Sequence, residues 1–224
     1  MKLLAFDTAT EACSCALHVD GETQAQFTIA PQKHAELILN MIEALLAEAE
    51  LIPSQLDGLA YGRGPGSFTG LRIASGVAQG IAFGADLPVS PISSLATLAQ
   101  GIYTQYHVKH ILTAFDARME EVYWGCYTLG EQGIVQLHEP EIVCKPQAIP
   151  IPQTTDWYGA GSGWASYAPS LLLRLGEKIL TYYPQCFPNA QAMIPLALVA
   201  FQTGQAVPAE QALPVYLRDQ VVQR

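Results

Sequence analysis

Basic residues are scarce in this chain: 11 Lys and Arg stand against 20 Asp and Glu, for a formal charge of −9 and a pI near 4.9. Proteins that grip nucleic acid unaided cluster Lys and Arg on phosphates, so the composition argues against that role. Paired cysteines are missing too. Cys13, Cys15, Cys126, Cys144 and Cys186 form no C-x-x-C pair, and an odd, scattered set points to reduced thiols in a reducing compartment rather than to disulfides or structural zinc. No apolar run reaches bilayer length, and the opening MKLLAFDTAT is too short for a signal peptide, so the expectation is a cytoplasmic protein with no membrane partner. Histidine pairs at ligand spacing are absent: His107 and His110 are three apart in a loop, and His18, His34 and His138 are isolated. Neither H-x-x-x-H nor H-E-x-x-H occurs, and no metal site is expected.

What is present is a large apolar fraction, 50% of 224 residues, enough for one large domain or two small ones. The chain also carries the glycine-rich stretch YGRGPGSFTGLRIASG (61–76). It meets neither standard phosphate motif. A P-loop needs Lys-Ser/Thr after its second glycine, but Gly64 is followed five residues on by Thr69 and Gly66 by Leu71. The dinucleotide fingerprint needs a third glycine where Ser67 or Thr69 stands. A turn through Gly64-Pro65-Gly66 remains, with Ser67 as N-cap and free helix amides behind it, which reads as a structural turn or an anion site. Tyr158-Gly-Ala-Gly-Ser-Gly-Trp164 likewise fails the dinucleotide spacing.

Periodicity organises the rest. A strand at 3–6 and a hairpin over 12–19 and 25–29 precede an amphipathic helix whose stripe is His34, Leu37, Ile38, Met41, Ile42, Leu45 and Ala49. A strand at 58–61, a helix at 69–83, a strand at 89–91 and a helix at 94–103 follow. The pattern restarts near 105, with strands at 111–115 and 122–127 joined by DARMEE, and a last helix spans about 190–204 before the tail PVYLRDQ. Two related lobes are predicted, 1–104 and 105–224, with the last helix and tail packing back on the first. Asp7 and Asp116 each end a strand, where α/β folds place ligands, and read either as holders of a metal-nucleotide complex or as ordinary turn residues. Ser67 and Ser75 have no base at an assignable spacing, and Cys13 and Cys15 read as buried, inert thiols on one strand face.

The succession FDTATEACSCAL, HAEL, GRGPGSFTGLRIASGVAQGIA, SSLATLA, DARMEEVYW and PVYLR resembles the TsaB (YeaZ) family of bacterial tRNA threonylcarbamoyladenosine biosynthesis proteins. Residues 129–180 are the least diagnostic. The resemblance implies an α/β, two-lobed fold of the actin and hexokinase superfamily, each lobe a ribonuclease-H-like mixed sheet with helices. It implies a non-catalytic scaffold for the related transferase TsaD, joined by TsaE in a larger complex. The chain alone would form homodimers through the same helices, and tRNA would be reached indirectly.

The metal-binding histidines of TsaD fall on Ser93 and Thr97, so the metal site is lost. Asp7 is followed by Thr8-Ala9-Thr10-Glu11 where nucleotide-binding relatives place glycine. No intrinsic cofactor is then expected; ATP or ADP at the interface with the partner stays open. Asp7, Thr8, Arg72, Asp116 and Arg118 would form a vestigial or shared nucleotide site. Small residues Gly70, Ala74, Ala78 and Ala82, with a parallel row Gly76, Gly80 and Gly84, would let a partner helix approach, and with the stripe from His34 to Leu45 would be the docking surface. A peptidase acting on its partner and a nucleotide-binding, sugar-kinase-like module are the competing readings.

Overall fold

The computed structural model describes residues 1–218. The described chain forms two compact units, residues 1–97 with 188–215, and residues 98–187 with 216–218.

In the first unit, β1 (Lys2–Asp7), β2 (Ala12–Val19) and β3 (Glu22–Ile29) form an antiparallel meander. After α1 (His34–Glu48), β4 (Gly58–Gly64) runs parallel to β1; α2 (Phe68–Ala85) leads to β5 (Val89–Ser93), parallel to β4, and then α3 (Ser94–Tyr106) begins. The sheet order is β3-β2-β1-β4-β5. Seven of the eight β2 residues, ACSCALH, are buried, which marks a strand covered on both faces. One face meets Ile38, Met41, Ile42 and Leu45 of α1 and Ala74, Ala78 and Ala82 of α2, which share a core cluster with Leu4, Phe6, Cys15 and Leu59.

The second unit repeats the plan. β6 (His110–Asp116) and β7 (Val122–Leu129) are antiparallel; β8 (Val135–Leu137) and β9 (Ile142–Cys144) both pair with β7. β10 (Trp157–Ala160) lies parallel to β6, α4 (Ser162–Leu175) follows, and β11 (Ile179–Tyr183) closes the sheet in the order β11-β10-β6-β7-β8. Two antiparallel neighbours on one side of a first strand and two parallel ones on the other give the expected ribonuclease-H-like arrangement twice. β8 to β11 and α4 carry little sequence signal. The strands are three to five residues long, and α4 contains Pro169 and a kink at Tyr167, which break its apolar period.

α5 (Ala190–Gln202) returns to the first unit and packs on β1 and β2, where the Ala190 amide donates to Ser14 Oγ at 3.0 Å. The segment beyond it stays there. Ser75 Oγ and Gln79 Nε2 donate to the Ala212 carbonyl, Tyr61 donates to the Leu213 carbonyl at 2.9 Å, and the Val215 amide donates to the Arg63 carbonyl at 2.8 Å. The boundary expected at residues 104 and 105 falls inside α3, and the second unit begins at Leu98.

Candidate functional site

The loop after β1 is the first candidate, and it is filled. Asp7 is fully buried; its Oδ1 accepts from the Ala9 amide at 2.8 Å and its Oδ2 from Ser94 Oγ at 2.7 Å. Burial pushes its carboxyl up to about 6, opposed by those two hydrogen bonds. Thr8, also buried, donates from Oγ1 to the Gly70 carbonyl at 2.7 Å. The glycine-rich stretch packs directly on this loop. The Ser67 amide donates to the Ala9 carbonyl at 2.7 Å, and Ser67 caps α2. A Cβ at Gly70 would lie 2.0 Å from the Thr8 carbonyl oxygen, and one at Gly66 would lie 2.3 Å from that of Ala9. These glycines are required by backbone approaching backbone, so the stretch is a packing turn between β4 and α2, and the anion reading finds no open cradle. Ser93 and Thr97 serve the start of α3: Ser93 Oγ accepts from the Leu95 and Ala96 amides, and Thr97 Oγ1 donates to the Ser93 carbonyl.

The expected docking residues are corrected by their burial. His34, Ile38, Met41, Ile42 and Leu45 on α1, and Gly70, Ala74, Ala78 and Ala82 on α2, are all buried, and Leu37 is half-buried. Their small and apolar side chains let the two helices lie close on the sheet, which makes them core. His34 adds a tether, its Nε2 donating to the Ala12 carbonyl at 3.2 Å. The parallel row is the open one: a Cβ at Gly76, Gly80 or Gly84 would meet no atom within 4 Å. Phe83 beside them is 85% exposed, and Arg72 lays its guanidinium 3.9 Å over the exposed Phe68 ring. On α1 the exposed face holds Leu39 among Glu36, Asn40 and Glu43.

Asp116 belongs to the second unit and is partnered within it. Its Oδ1 accepts from the Arg118 amide at 2.8 Å and from Tyr167 at 3.3 Å, its Oδ2 accepts from Ser166 at 3.3 Å, and its amide donates to Ser162 Oγ. Arg118, Met119 and Glu120 follow with φ of 61°, 54° and 59°. Three successive non-glycine residues in the left-handed region cost about 1–2 kcal/mol each. Arg218 offsets part of that cost. Its guanidinium pairs with Glu121 and reaches the Arg118 carbonyl and Met119 Sδ. Sequence spacing gives no hint of this clasp, because its halves, DARMEE and PVYLR, lie about a hundred residues apart. Arg118 itself points outward, 3.8 Å from Asp116. Glu120 and Tyr167 border a cleft of about 440 Å³ with Lys145, Pro146 and Gln147. The glycines of 158–164 are packing devices too: Gly161 and Gly163 approach Ala114, and Gly159 lies under the Trp164 ring.

Among the described residues, no group of three His, Cys, Asp or Glu side chains is placed to hold a metal ion, and no helix is long and apolar enough to cross a membrane. The family model for TsaD, tRNA N6-adenosine threonylcarbamoyltransferase, matches residues 25–155. The tRNA threonylcarbamoyladenosine biosynthesis protein TsaB of Escherichia coli is 43% identical, covering 99% of this chain and 96% of that protein. Its Haemophilus influenzae counterpart is 42% identical over 99% and 95%. YeaZ from Pseudomonas aeruginosa superposes with a TM-score of 0.90 at 44% identity, over 96% of this chain and 99% of that one. Identity at that level over the full length carries both the α/β fold and the lineage: the chain belongs to the TsaB (YeaZ) family of tRNA threonylcarbamoyladenosine biosynthesis proteins.

Proposed function

We propose that this chain is a non-catalytic partner of a TsaD-type transferase, needed for threonylcarbamoylation of the tRNA adenosine next to the anticodon, and that it docks through the outer face of α2. The observation that carries the reading is the row Gly76, Gly80 and Gly84. Each glycine weakens an exposed helix by about 1 kcal/mol relative to alanine, and no contact of the described chain requires any of the three. A helix backbone of a second protein is the occupant that needs them bare, with Phe83, Phe68 and Leu39 supplying apolar area around the contact.

The filled Asp7 loop supports the non-catalytic half of the proposal, since a carboxylate held by Ser94 and Ala9 is withdrawn from solvent. In this reading TsaD is the heterodimer partner and TsaE joins a larger assembly. A nucleotide, where one binds, is held jointly with the partner, tRNA is engaged through TsaD, and the setting is the cytoplasm. The test is reconstituted tRNA modification with and without the chain, using Gly80→Arg as the probe. The variant is expected to keep its melting temperature, lose TsaD binding by calorimetry and lose modification. Full modification in the absence of the chain, or unchanged binding by Gly80→Arg, rejects the proposal.

A further inference from the structure

The second unit carries a row of parallel aromatic rings unrelated to the surfaces above. Tyr106, the last residue of α3, stacks on Tyr183 of β11 with centroids 4.0 Å apart and planes 7° apart. Tyr183 is in turn parallel to Tyr158 of β10, at 6.5 Å and 5°. Strand pairing explains the alignment: Tyr158 lies opposite Thr181, so Tyr158 and Tyr183 emerge on one face of the sheet, at its edge strand. Tyr182 turns the other way and stacks on buried Trp164 as part of the core. The Tyr106 row is different. Tyr106 stays 37% exposed, and Tyr158 and Tyr183 are half-buried. One face of Tyr106 is spent on Tyr183, so its 37% exposure belongs to the rest of the side chain.

Charge singles out the same place. The chain is acidic overall, yet no Asp or Glu occurs between Asp86 and Asp116 or within residues 178–187, the segments that supply Tyr106 and Tyr183. His107, Lys109 and His110 follow Tyr106 directly. Asp156 and Glu177 precede β10 and β11, at the end of the strands where Tyr158 and Lys109 also lie, so the acid-free part of the surround is the Tyr106–Tyr183 end. Flat phenol faces in register, polar tips and an acid-free stretch around Tyr106 and Tyr183 suit a planar base on an anionic backbone. They suit an apolar protein surface less well.

We infer that the Tyr106–Tyr183–Tyr158 row is a stacking platform for unpaired bases of a single-stranded RNA, with Lys109 and His107 beside the phosphates. The choice of RNA rests on the pathway reading above; the stacking chemistry does not. With so few cations the platform binds weakly alone and adds to the grip of an assembly.

The test uses the full chain without TsaD, a fluorescently labelled short oligoadenylate RNA, anisotropy at low salt and ultraviolet crosslinking. Binding at high protein concentration is expected, with poor competition by an RNA duplex and crosslinks on peptides holding Tyr106, Tyr158 or Tyr183. Tyr106→Ala should weaken binding by about tenfold, while Tyr106→Phe keeps the ring and stays within about twofold. Absence of binding, equal competition by duplex, or crosslinks confined to other peptides overturns the inference. The crosslink map is read on the unaltered chain, so it decides even where Tyr106→Ala melts early. Oligonucleotide binding without any effect of the chain on tRNA modification would sink the scaffold reading and leave the platform standing. The reverse result would do the opposite.

Discussion

Asp7 is a buried carboxyl whose hydrogen-bond partners, the Ala9 amide and Ser94 hydroxyl, are both neutral. Its folded-state value of about 6 lies above the ordinary 3.8, so the folded chain holds this proton more tightly than the unfolded one. Stability therefore falls as pH rises from about 4 to about 6, and the full cost of the buried charge, on the order of 3 kcal/mol, is present above that window. Asp7→Asn is expected to raise the denaturation midpoint at pH 8 and to match the parent near pH 4; a variant less stable than the parent at pH 8 would show that the charge is supported in the fold. Gly70 makes the opposite case. Gly70→Ala sets a Cβ 2.0 Å from the Thr8 carbonyl oxygen and should cost about 3 kcal/mol or more, read as a lowered urea midpoint, because backbone must move on both sides. The sequence shows that Gly70 and Asp7 matter as punctuation and strand end. It does not show that they meet, since 63 positions separate them and only the fold brings the loop after β1 onto the start of α2.

At the scale of elements, α2 has distinct faces, and four-residue spacing alone cannot rank them. Gly70-Ala74-Ala78-Ala82 and Gly76-Gly80-Gly84 have the same period on opposite sides, and burial assigns the first to the core and the second to solvent. Met41→Arg and Ala78→Glu should accordingly destabilise the fold itself, each by about 3–5 kcal/mol for an unpaired charge in the interior, visible as a collapsed melting temperature. Gly76→Ala should raise stability by about 0.5–1 kcal/mol in thermal denaturation, since the helix gains propensity and nothing clashes. The hairpin between β6 and β7 depends on a distant residue. Removing the fork in Arg218→Ala should speed amide exchange over residues 117–121 and cost about 1 kcal/mol, whereas Arg218→Lys restores the charge on Glu121 but cannot bridge it to the Arg118 carbonyl. Equal protection of those amides in the parent and Arg218→Ala would show that the turn holds its left-handed residues unaided.

For the molecule as a whole, the hydrophobic pattern discloses the first unit well, because its helices are long and their stripes regular. The second unit is legible only through β6 and β7. Short strands such as Val135–Leu137 and Ile142–Cys144 leave too few residues to show a period, and α4 hides behind its glycines and Pro169. Neither unit is confined to one stretch of chain, and this bears on the order in which a ribosome can complete them. When residue 97 has emerged, the first sheet still lacks α5, which covers β1 and β2, and the segment around Ala212, which takes the hydroxyl of Ser75. Those pieces arrive roughly 6–25 s later at ordinary elongation rates. Meanwhile residues 98–187 supply every strand and helix of the second sheet. The half encoded later is thus complete earlier, apart from its Arg218 clasp, and the half encoded first waits with one face of β1 and β2 uncovered until α5 and the segment around Ala212 have been made.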